Sequence, residues 1–280
     1  MAANLQLMFR LMGLYAQMDL RWFLQDFKTC VIVIAGEAAM TFASVMGIFL
    51  LAMRFGGVGN MSEAEVLFML GFYTFAGGAL FMLFCGGNIH QISRRIGRGQ
   101  VDHMLMQPVP IWVQIMADGF MPTTGCSGII AGTAILVYAI PQLNLPLTPL
   151  WFSQFALLVF AHVGIEMGLS FLLASSAFYR PVACEEISSV GHDLLSIIGK
   201  YPLNGLPSVL TDLLCTVLPA GLMAWFPSLI LLGKSPSNLA ILLPLCVAAI
   251  LISLATFAFK KGMNHYAQYS CNRYRDMGHR

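Results

Sequence analysis

The chain has 280 residues, of which 58% are hydrophobic and only 10% are charged, and its mean hydropathy is +0.76. A soluble domain carries about 25% charged residues because its surface faces water, so this composition excludes a soluble fold. The formal net charge of +2 gives no basis for binding nucleic acid. We therefore predict an all-α membrane protein that forms one transmembrane domain over residues 1–280.

The segment before the first apolar stretch, residues 1–28, has the pattern of an amphipathic helix at a membrane interface. Asp19 and Asp26 interrupt its apolar side, and we expect them either to face a partner protein or to reach towards water. The polar face combines basic and amide side chains: Gln6, Arg10, Gly13, Gln17, Arg21, Gln25 and Lys28.

Stretches of about 20 mainly apolar residues, the length that crosses a bilayer, recur six times along the chain. Short polar loops separate them and leave no room for a large external domain. The predicted spans are Val31–Phe55, Val66–Ile89, Ile111–Ile140, Leu150–Phe178, Pro207–Phe226 and Asn238–Phe259.

The distribution of basic residues orients these six spans. With both termini in the cytoplasm, all 15 Lys and Arg residues except Arg54 and Lys234 lie on the cytoplasmic side or tail, including residues 260–280. Loops rich in Lys and Arg stay in the cytoplasm, so the pattern predicts this orientation and not its inverse.

The region around the fifth predicted span is irregular. A second amphipathic stretch, marked by Val190, Leu194 and Ile197, precedes it and is predicted on the cytoplasmic side. Pro219 and Pro227 interrupt the apolar run that follows, and proline kinks or breaks a helix. We expect a kinked fifth helix followed by a re-entrant or interfacial segment from Trp225 to Gly233.

Acidic residues inside the spans are the first candidates for function, because a charge in the membrane is costly. Glu37 and Glu166 lie within the first and fourth spans, and Asp212 lies near the start of the fifth. They either line a translocation path or make helix-to-helix hydrogen bonds. The sequence leaves both alternatives open.

Catalytic motifs are missing from the sequence. A serine nucleophile needs a base within reach, and His162 is about two turns from Ser170 on the same predicted helix. No GxxxxGK[ST] phosphate loop occurs, and the seven cysteines stand singly without a CxxC pair. We therefore expect a non-catalytic chain without a metal or cofactor of its own.

The loop after the second span, residues 93–110, carries the most specific pattern. An isoleucine is followed at every third residue by glycine, aspartate, leucine and proline, and three arginines lie close to the start of this pattern. The residues are Arg94, Arg95, Ile96, Arg98, Gly99, Asp102, Leu105 and Pro108.

This loop resembles the signature between the second and third helices of type-2 ABC exporter permeases. The prolines of Tyr201-Pro202, Leu218-Pro219 and Pro227-Ser228 resemble a longer motif of one bacterial branch, long catalogued as an uncharacterised permease family. The terminal Tyr269-Ser270 is similar to that branch's ending, although Gln268 stands where the branch usually has a basic residue. The resemblance covers the chain from the first span to the tail.

The resemblance implies a permease of an ATP-driven exporter in the bacterial cytoplasmic (inner) membrane. A separate cytoplasmic ATPase would bind ATP and Mg and hydrolyse the nucleotide. Residues 94–107 would contact that ATPase through Arg94, Arg95, Arg98, Gly99, Asp102 and Leu105. A second permease, identical or related, would complete the translocation path, and the identity of the exported compound stays open.

Two functions from other classes remain as alternatives. A stand-alone six-helix carrier driven by an ion gradient would use Glu37 or Glu166 as its proton site. A membrane scaffold without a transport role would leave the loop signature unexplained. The carrier predicts activity without ATP, whereas the permease depends on a separate ATPase.

Overall fold

The computed structural model describes residues 2–84, 95–96, 98–235 and 238–269 of the chain. Regular structure in these residues is helical, apart from one isolated β-bridge between Val58 and Met61. The predicted all-α fold is thus confirmed. Arg94, the last part of the second predicted span and the tail beyond residue 269 lie outside the described residues.

The helices vary greatly in length, and three short 3₁₀ turns interrupt them. The turns are Ser175–Phe178, Pro219–Leu222 and Asn238–Ile241. The α-helices are α1 (Ala2–Gln25), α2 (Phe27–Phe55), α3 (Glu63–Phe84), α4 (Gln100–Leu105), α5 (Ile111–Ala117), α6 (Ser127–Leu143), α7 (Pro149–Ala174), α8 (Pro181–Ile198), α9 (Ser208–Thr216), α10 (Trp225–Leu231) and α11 (Leu242–Tyr269).

Four helical segments are long and apolar enough to cross a membrane: 27–55, 63–84, 149–178 and 239–268. A fifth candidate, Ser208–Thr216 with Pro219–Leu231, is bent by 73° at its break. Length and composition therefore give four spans, or five with the bent pair, among the described residues. The six predicted spans are not confirmed by this measure.

The third predicted span is not one continuous helix from Ile111. The short helix α5 ends at Ala117, and the chain turns through Gly119, at φ 88°, before α6 begins at Ser127. The positive φ is a conformation that glycine adopts without strain. The long apolar helix at this position therefore starts at Ser127 and not at Ile111.

The core is built around α3, which is buried on most sides against α6 and α7. Gly78 of α3 lies against the backbone of Gly128 of α6, and Gly132 of α6 lies against the backbone of Phe75. Small residues let membrane helices approach this closely. A similar contact joins α7 to α11, where Gly168 lies against Leu251.

The two ends of the bundle are marked by ion pairs. At one, called the Glu65 end, Lys234 Nζ lies 2.6 Å from Glu65 Oε1. At the other, called the Arg95 end, Arg95 Nη2 lies 2.5 Å from Asp118 Oδ2. Helices α2, α3, α6, α7 and α11 run between these ends.

Helix α8, the predicted second amphipathic stretch, packs along the bundle beside α7. It starts after Phe178 at the Arg95 end, and its His192 reaches Glu166 halfway along α7. The hydroxyl of Tyr73 in α3 then donates to the Ser196 carbonyl, 3.3 Å away. The cytoplasmic location of this helix and of Lys200 just after it stays a prediction, and α8 is not among the helices that are long and apolar enough to cross a membrane.

The segment from α9 to α10 enters and leaves at the Glu65 end. Before it, Asn204 lies against Gly59 in the loop between α2 and α3. After it, Trp151 Nε1 donates to the Leu231 carbonyl, 3.1 Å away, near the start of α7. Between them, the Met223 carbonyl reaches His162, in the middle of α7. This path has the form of a re-entrant loop, which here extends over residues 208–231.

Candidate functional site

Helix α4 forms the centre of the predicted loop signature. Gly99 precedes it in the left-handed region, at φ 70°, which glycine adopts most easily. Asp102 lies in its first turn, where a negative charge interacts favourably with the positive end of the helix dipole. The glycine and aspartate of the signature therefore fix where this helix starts.

One side of the α4 segment is anchored on the C-terminal part of the bundle. Ile96 and Val101 are buried in a cluster with Phe178 and Tyr266. The Tyr266 hydroxyl donates a hydrogen bond to Asp102 Oδ1, 3.0 Å away. The segment before and within α4 is thus tied to α11 and to the end of α7.

A second anchor joins the same segment to α1 and α5. Arg95 pairs with Asp118 at the end of α5, and Tyr15 of α1 is hydrogen-bonded to the same carboxylate. Burial, together with the negative charge of Asp118, raises the pKa of the Tyr15 hydroxyl. The Gln114 amide donates to the carbonyl groups of Met104, at 2.9 Å, and Val109, at 2.7 Å.

A cavity of about 320 Å³ lies between α1 and this segment. Leu11, Tyr15, Arg95, Met104 and Gln114 are among its lining residues. Three of its polar lining side chains already have partners in the protein: Arg95 pairs with Asp118, and Gln114 donates to backbone carbonyls. The cavity is therefore a gap behind the anchored segment.

The other side of the segment is open. Arg98 and His103 are exposed, and Leu105 and Met106 are 45% and 74% exposed. This outward surface, which we call the α4 surface, combines two basic or titratable side chains with two apolar ones. A surface of this composition is suited to binding another protein.

The predicted loop residues therefore divide into two groups. Arg95 and Asp102 face inward and hold the segment in place. Arg98 and Leu105 face outward, and Gly99 sets the turn between them. Arg94 lies outside the described residues.

Asp19 fixes α1 on the irregular stretch before α6, and its predicted exposure is wrong. Its side chain is buried, and its carboxylate accepts hydrogen bonds from the backbone N–H groups of Thr123, at 2.7 Å, and Thr124, at 3.2 Å. The Thr124 hydroxyl donates a third, at 2.5 Å. A carboxylate with three donors is satisfied without water, which explains its place on the apolar side of α1. Asp26, in contrast, caps the start of α2.

The second candidate site surrounds Glu166 in the middle of α7. Its Oε2 atom lies 3.4 Å from His162 Nε2, and its Oε1 atom lies 3.2 Å from His192 Nδ1 on α8. The side chain of His162 is completely buried, and that of Glu166 is 6% exposed. We call these three residues the Glu166 cluster.

The contacts of His162 constrain where protons lie in this cluster. The Met223 carbonyl, 2.8 Å from His162 Nδ1, can only accept a hydrogen bond, so Nδ1 carries a proton. The Nε2 atom faces the Glu166 carboxyl, with 3.4 Å between Nε2 and Oε2. The cluster therefore joins α7 to α8 and to the loop segment that carries Met223.

Tyr73 and Lys200 extend the polar region towards α2. The Tyr73 ring packs edge-on against His162, with centroids 5.5 Å apart. Lys200 Nζ lies 5.7 Å from the centre of the same ring and donates to the Ser44 hydroxyl of α2, 3.3 Å away. Sequence reasoning missed His192 and Lys200 as neighbours of the α7 and α2 side chains, because the polar character of α8 favoured a separate cytoplasmic helix.

A protein-family model, described as ABC-2 family transporter protein, matches residues 38–270. That range includes the α4 surface, the Glu166 cluster, Lys200 and Tyr266. The chain belongs to the ABC-2 family. No curated protein and no solved structure matches the ABC-2 chain.

The remaining predicted site residues of the ABC-2 chain are not brought together. Glu37, just before the family match, accepts a hydrogen bond from the Ser127 hydroxyl at 2.8 Å, which links α2 to α6. Asp212 is exposed on α9. In the described part of the chain, no group of three or more His, Cys, Asp or Glu side chains is placed to hold a metal ion.

Proposed function

We propose that this ABC-2 chain is the membrane-spanning permease of an ATP-driven exporter, and that a cytoplasmic ATPase docks on the α4 surface. The observation that carries the proposal is the two-sided character of the α4 segment. Its inward side is tied to α1, α5, α7 and α11, while its outward side presents Arg98, His103, Leu105 and Met106.

This arrangement suits the transfer of motion from one protein to another. A docking partner that moves α4 would also move Asp102 with Tyr266 of α11, and Arg95 with Asp118 and Tyr15. Packed interfaces shift as units rather than deform gradually. A displacement at the surface is thus expected to reach helices that span the bundle.

The proposed orientation puts the Arg95 end in the cytoplasm of a bacterium. Arg98, Lys260 and Lys261 then lie on the cytoplasmic side, as the distribution of basic residues favours. Helix α8 would serve as a polar membrane crossing between α7 and the re-entrant loop. The chain would lie in the inner membrane with α1 along the cytoplasmic interface.

Hydrolysis is assigned to the partner because this chain has no phosphate-binding loop in its sequence. ATP and Mg would bind there and not to the permease. A second permease, identical or related, would complete the path along α2 and α8. Both helices have exposed apolar faces that include Met40, at 75%, and Ile197, at 56%.

One observation favours an ion-coupled carrier as a second candidate. The Glu166 cluster places a carboxyl group and two imidazoles in the middle of the bundle, and such side chains mark proton pathways in membrane transporters. A carrier would transport without ATP and would lose activity in Glu166→Gln.

Purification of the tagged chain from its source cell in mild detergent distinguishes the two. The permease proposal expects a stoichiometric ATPase subunit and vanadate-sensitive ATP hydrolysis. Arg98→Glu with Leu105→Asp should lose that subunit, whereas Lys234→Gln at the opposite end should retain it. A chain that purifies without an ATPase, and transports under an ion gradient alone, would establish the carrier instead.

A further inference from the structure

Lys200 is a half-buried cation at the open side of the bundle, and the nearby negative charge of Glu166 acts on it without an ion-pair contact between the described side chains. Its ammonium group contacts the exposed Ser44 hydroxyl and lies over the Tyr73 ring. Among the residues that the structure describes, no carboxylate lies within ion-pair distance of this ammonium. A hydroxyl group and an aromatic ring only partly offset the loss of hydration of a buried charge.

The depth of Lys200 makes this charge costly. Ser44 and Tyr73 each lie about 15 Å from the Glu65 end of their helices, at 1.5 Å per residue. The hydrocarbon core of a bilayer is about 30 Å thick. With the Glu65 end at one membrane surface, as the proposed orientation has it, the ammonium group lies near mid-membrane, where charged side chains usually serve a ligand or an ion.

Two open helix faces flank Lys200. On α2, Met40, Ser44 and Gly47 share one exposed stripe, and the space next to Gly47 is empty. On α8, Ile197 is exposed and lies three residues before Lys200, which follows the end of the helix. The cation thus lies beside apolar surfaces from two helices that pack on different neighbours, α2 on α3 and α6, and α8 on α7.

We propose that this cleft, bounded by α2 and α8, binds an anionic amphiphile whose charged head group pairs with Lys200. The apolar faces fit an acyl or similar hydrocarbon tail, and the ammonium group fits a carboxylate or phosphate head. This inference rests on the proposed transport function, since it names the class of compound that the path accepts.

The acidic groups around the cleft argue for one position of the head group. Asp193 is exposed on α8, about two turns from Lys200 towards the Arg95 end, roughly 10 Å away along the helix. An anionic head is repelled there and attracted to Lys200. A cationic amphiphile would show the opposite preference, with Asp193 as its partner.

Binding to the full chain, purified with any subunits that accompany it and placed in nanodiscs of neutral lipid, tests the proposal. Native mass spectrometry would count bound oleate, mono-oleoylglycerol and oleylamine, which share one tail and differ in head-group charge. We expect the wild-type chain to prefer oleate. Lys200→Met should weaken oleate binding about tenfold or more, as expected for a charge-assisted hydrogen bond, and leave mono-oleoylglycerol binding unchanged.

Two further variants serve as controls. Lys200→Arg keeps the charge and should retain oleate binding, as should Lys260→Met, which removes an exposed lysine on α11. Equal binding of oleate and mono-oleoylglycerol by the wild-type chain would overturn the proposal, whether or not Lys200→Met folds. A preference for oleylamine that Asp193→Asn abolishes would also overturn it.

The binding assay contains no nucleotide, so its outcome is independent of the ATPase. Selective oleate binding by a chain that purifies alone would leave this inference standing and remove the proposed ATP-driven function. A chain that purifies with an ATPase but binds the three probes equally would support the ATP-driven function and overturn the proposed anion-binding cleft.

Discussion

The hydroxyl group of Tyr266, in the last turns of α11, donates a hydrogen bond to the Asp102 carboxylate in α4, 3.0 Å away. Tyr266 is 2% exposed, and its ring packs edge-on against Phe178, with centroids 5.7 Å apart. Helix α11 thus holds the short helix α4, which carries the loop signature. This contact gives Asp102 a role inside the permease.

Removing the Tyr266 hydroxyl should weaken coupling without unfolding the chain. Tyr266→Phe keeps the ring and its packing but leaves the Asp102 carboxylate without this donor, at a cost of about 1.5–3 kcal/mol. We expect a reduced ratio of transport to ATP hydrolysis in the reconstituted complex. Tyr138→Phe, at a position that is 65% exposed, should leave the ratio unchanged. Equal ratios in Tyr266→Phe and wild type would mean that this contact does not transmit motion.

Asp19→Asn should loosen α1 from the bundle. Asparagine replaces an accepting oxygen by an N–H donor that faces the donors of Thr123 and Thr124. A cost of about 1–3 kcal/mol is expected for the unsatisfied groups. Hydrogen exchange of the α1 amides should accelerate in Asp19→Asn.

Asp26→Asn is the matched control for this prediction, because Asp26 caps α2 and is exposed. Asparagine also caps helices, so α1 exchange should match that of the wild type. Unchanged exchange in both variants would show that Asp19 does not hold α1.

Alanine substitutions at two adjacent glycines of α3, Gly77 and Gly78, should have different effects on stability, because only Gly78 is closely packed. A Cβ atom on Gly78 would overlap the backbone of Gly128, whereas nothing lies within 4 Å of one on Gly77. Gly78→Ala should therefore lower the melting temperature, and Gly77→Ala should leave it unchanged or raise it slightly, since alanine favours helix. Similar melting temperatures for both variants would contradict the α3–α6 contact.

The Glu166 cluster should contribute to stability through α8. His192→Ala removes one of the two histidines beside a buried carboxyl, and leaving a buried polar group without a partner costs about 1–3 kcal/mol. We expect a lower melting temperature than for Asp193→Asn, a substitution at the exposed neighbouring residue. If His192→Ala keeps the wild-type melting temperature, α8 is held by other contacts.

Long apolar runs made much of the fold predictable from the sequence. The helices α2, α7 and α11 begin within a few residues of their predicted starts, since hydropathy alone defines them. The third span was extended too far because the apolar residues of α5 precede Gly119 and an irregular stretch that depends on Asp19. That contact joins residues far apart in the sequence, which no local pattern reveals.

Helix α8 shows why the intramembrane site was harder to predict. Glu185, Glu186, His192 and Asp193 lower its hydropathy below that of a span, although His192 is compensated by Glu166 from α7. His162 lies four residues before Glu166 on the same helix, a spacing that brings side chains together, and this signal could have identified part of the cluster. The position of the α4 segment was predictable from its motif, but the inward direction of Arg95 and Asp102 depends on Tyr15 and Tyr266.

Photo-cross-linking from the α4 surface tests the central claim most directly. A benzoylphenylalanine at Leu105, exposed at the Arg95 end, should give a covalent adduct with an ATPase subunit in the native membrane. The same probe at Leu239, which is 71% exposed at the Glu65 end, should give none. Adducts with an ATPase from Leu105 alone are the predicted result. Adducts from neither position, or equally from both, would contradict docking of an ATPase on the α4 surface.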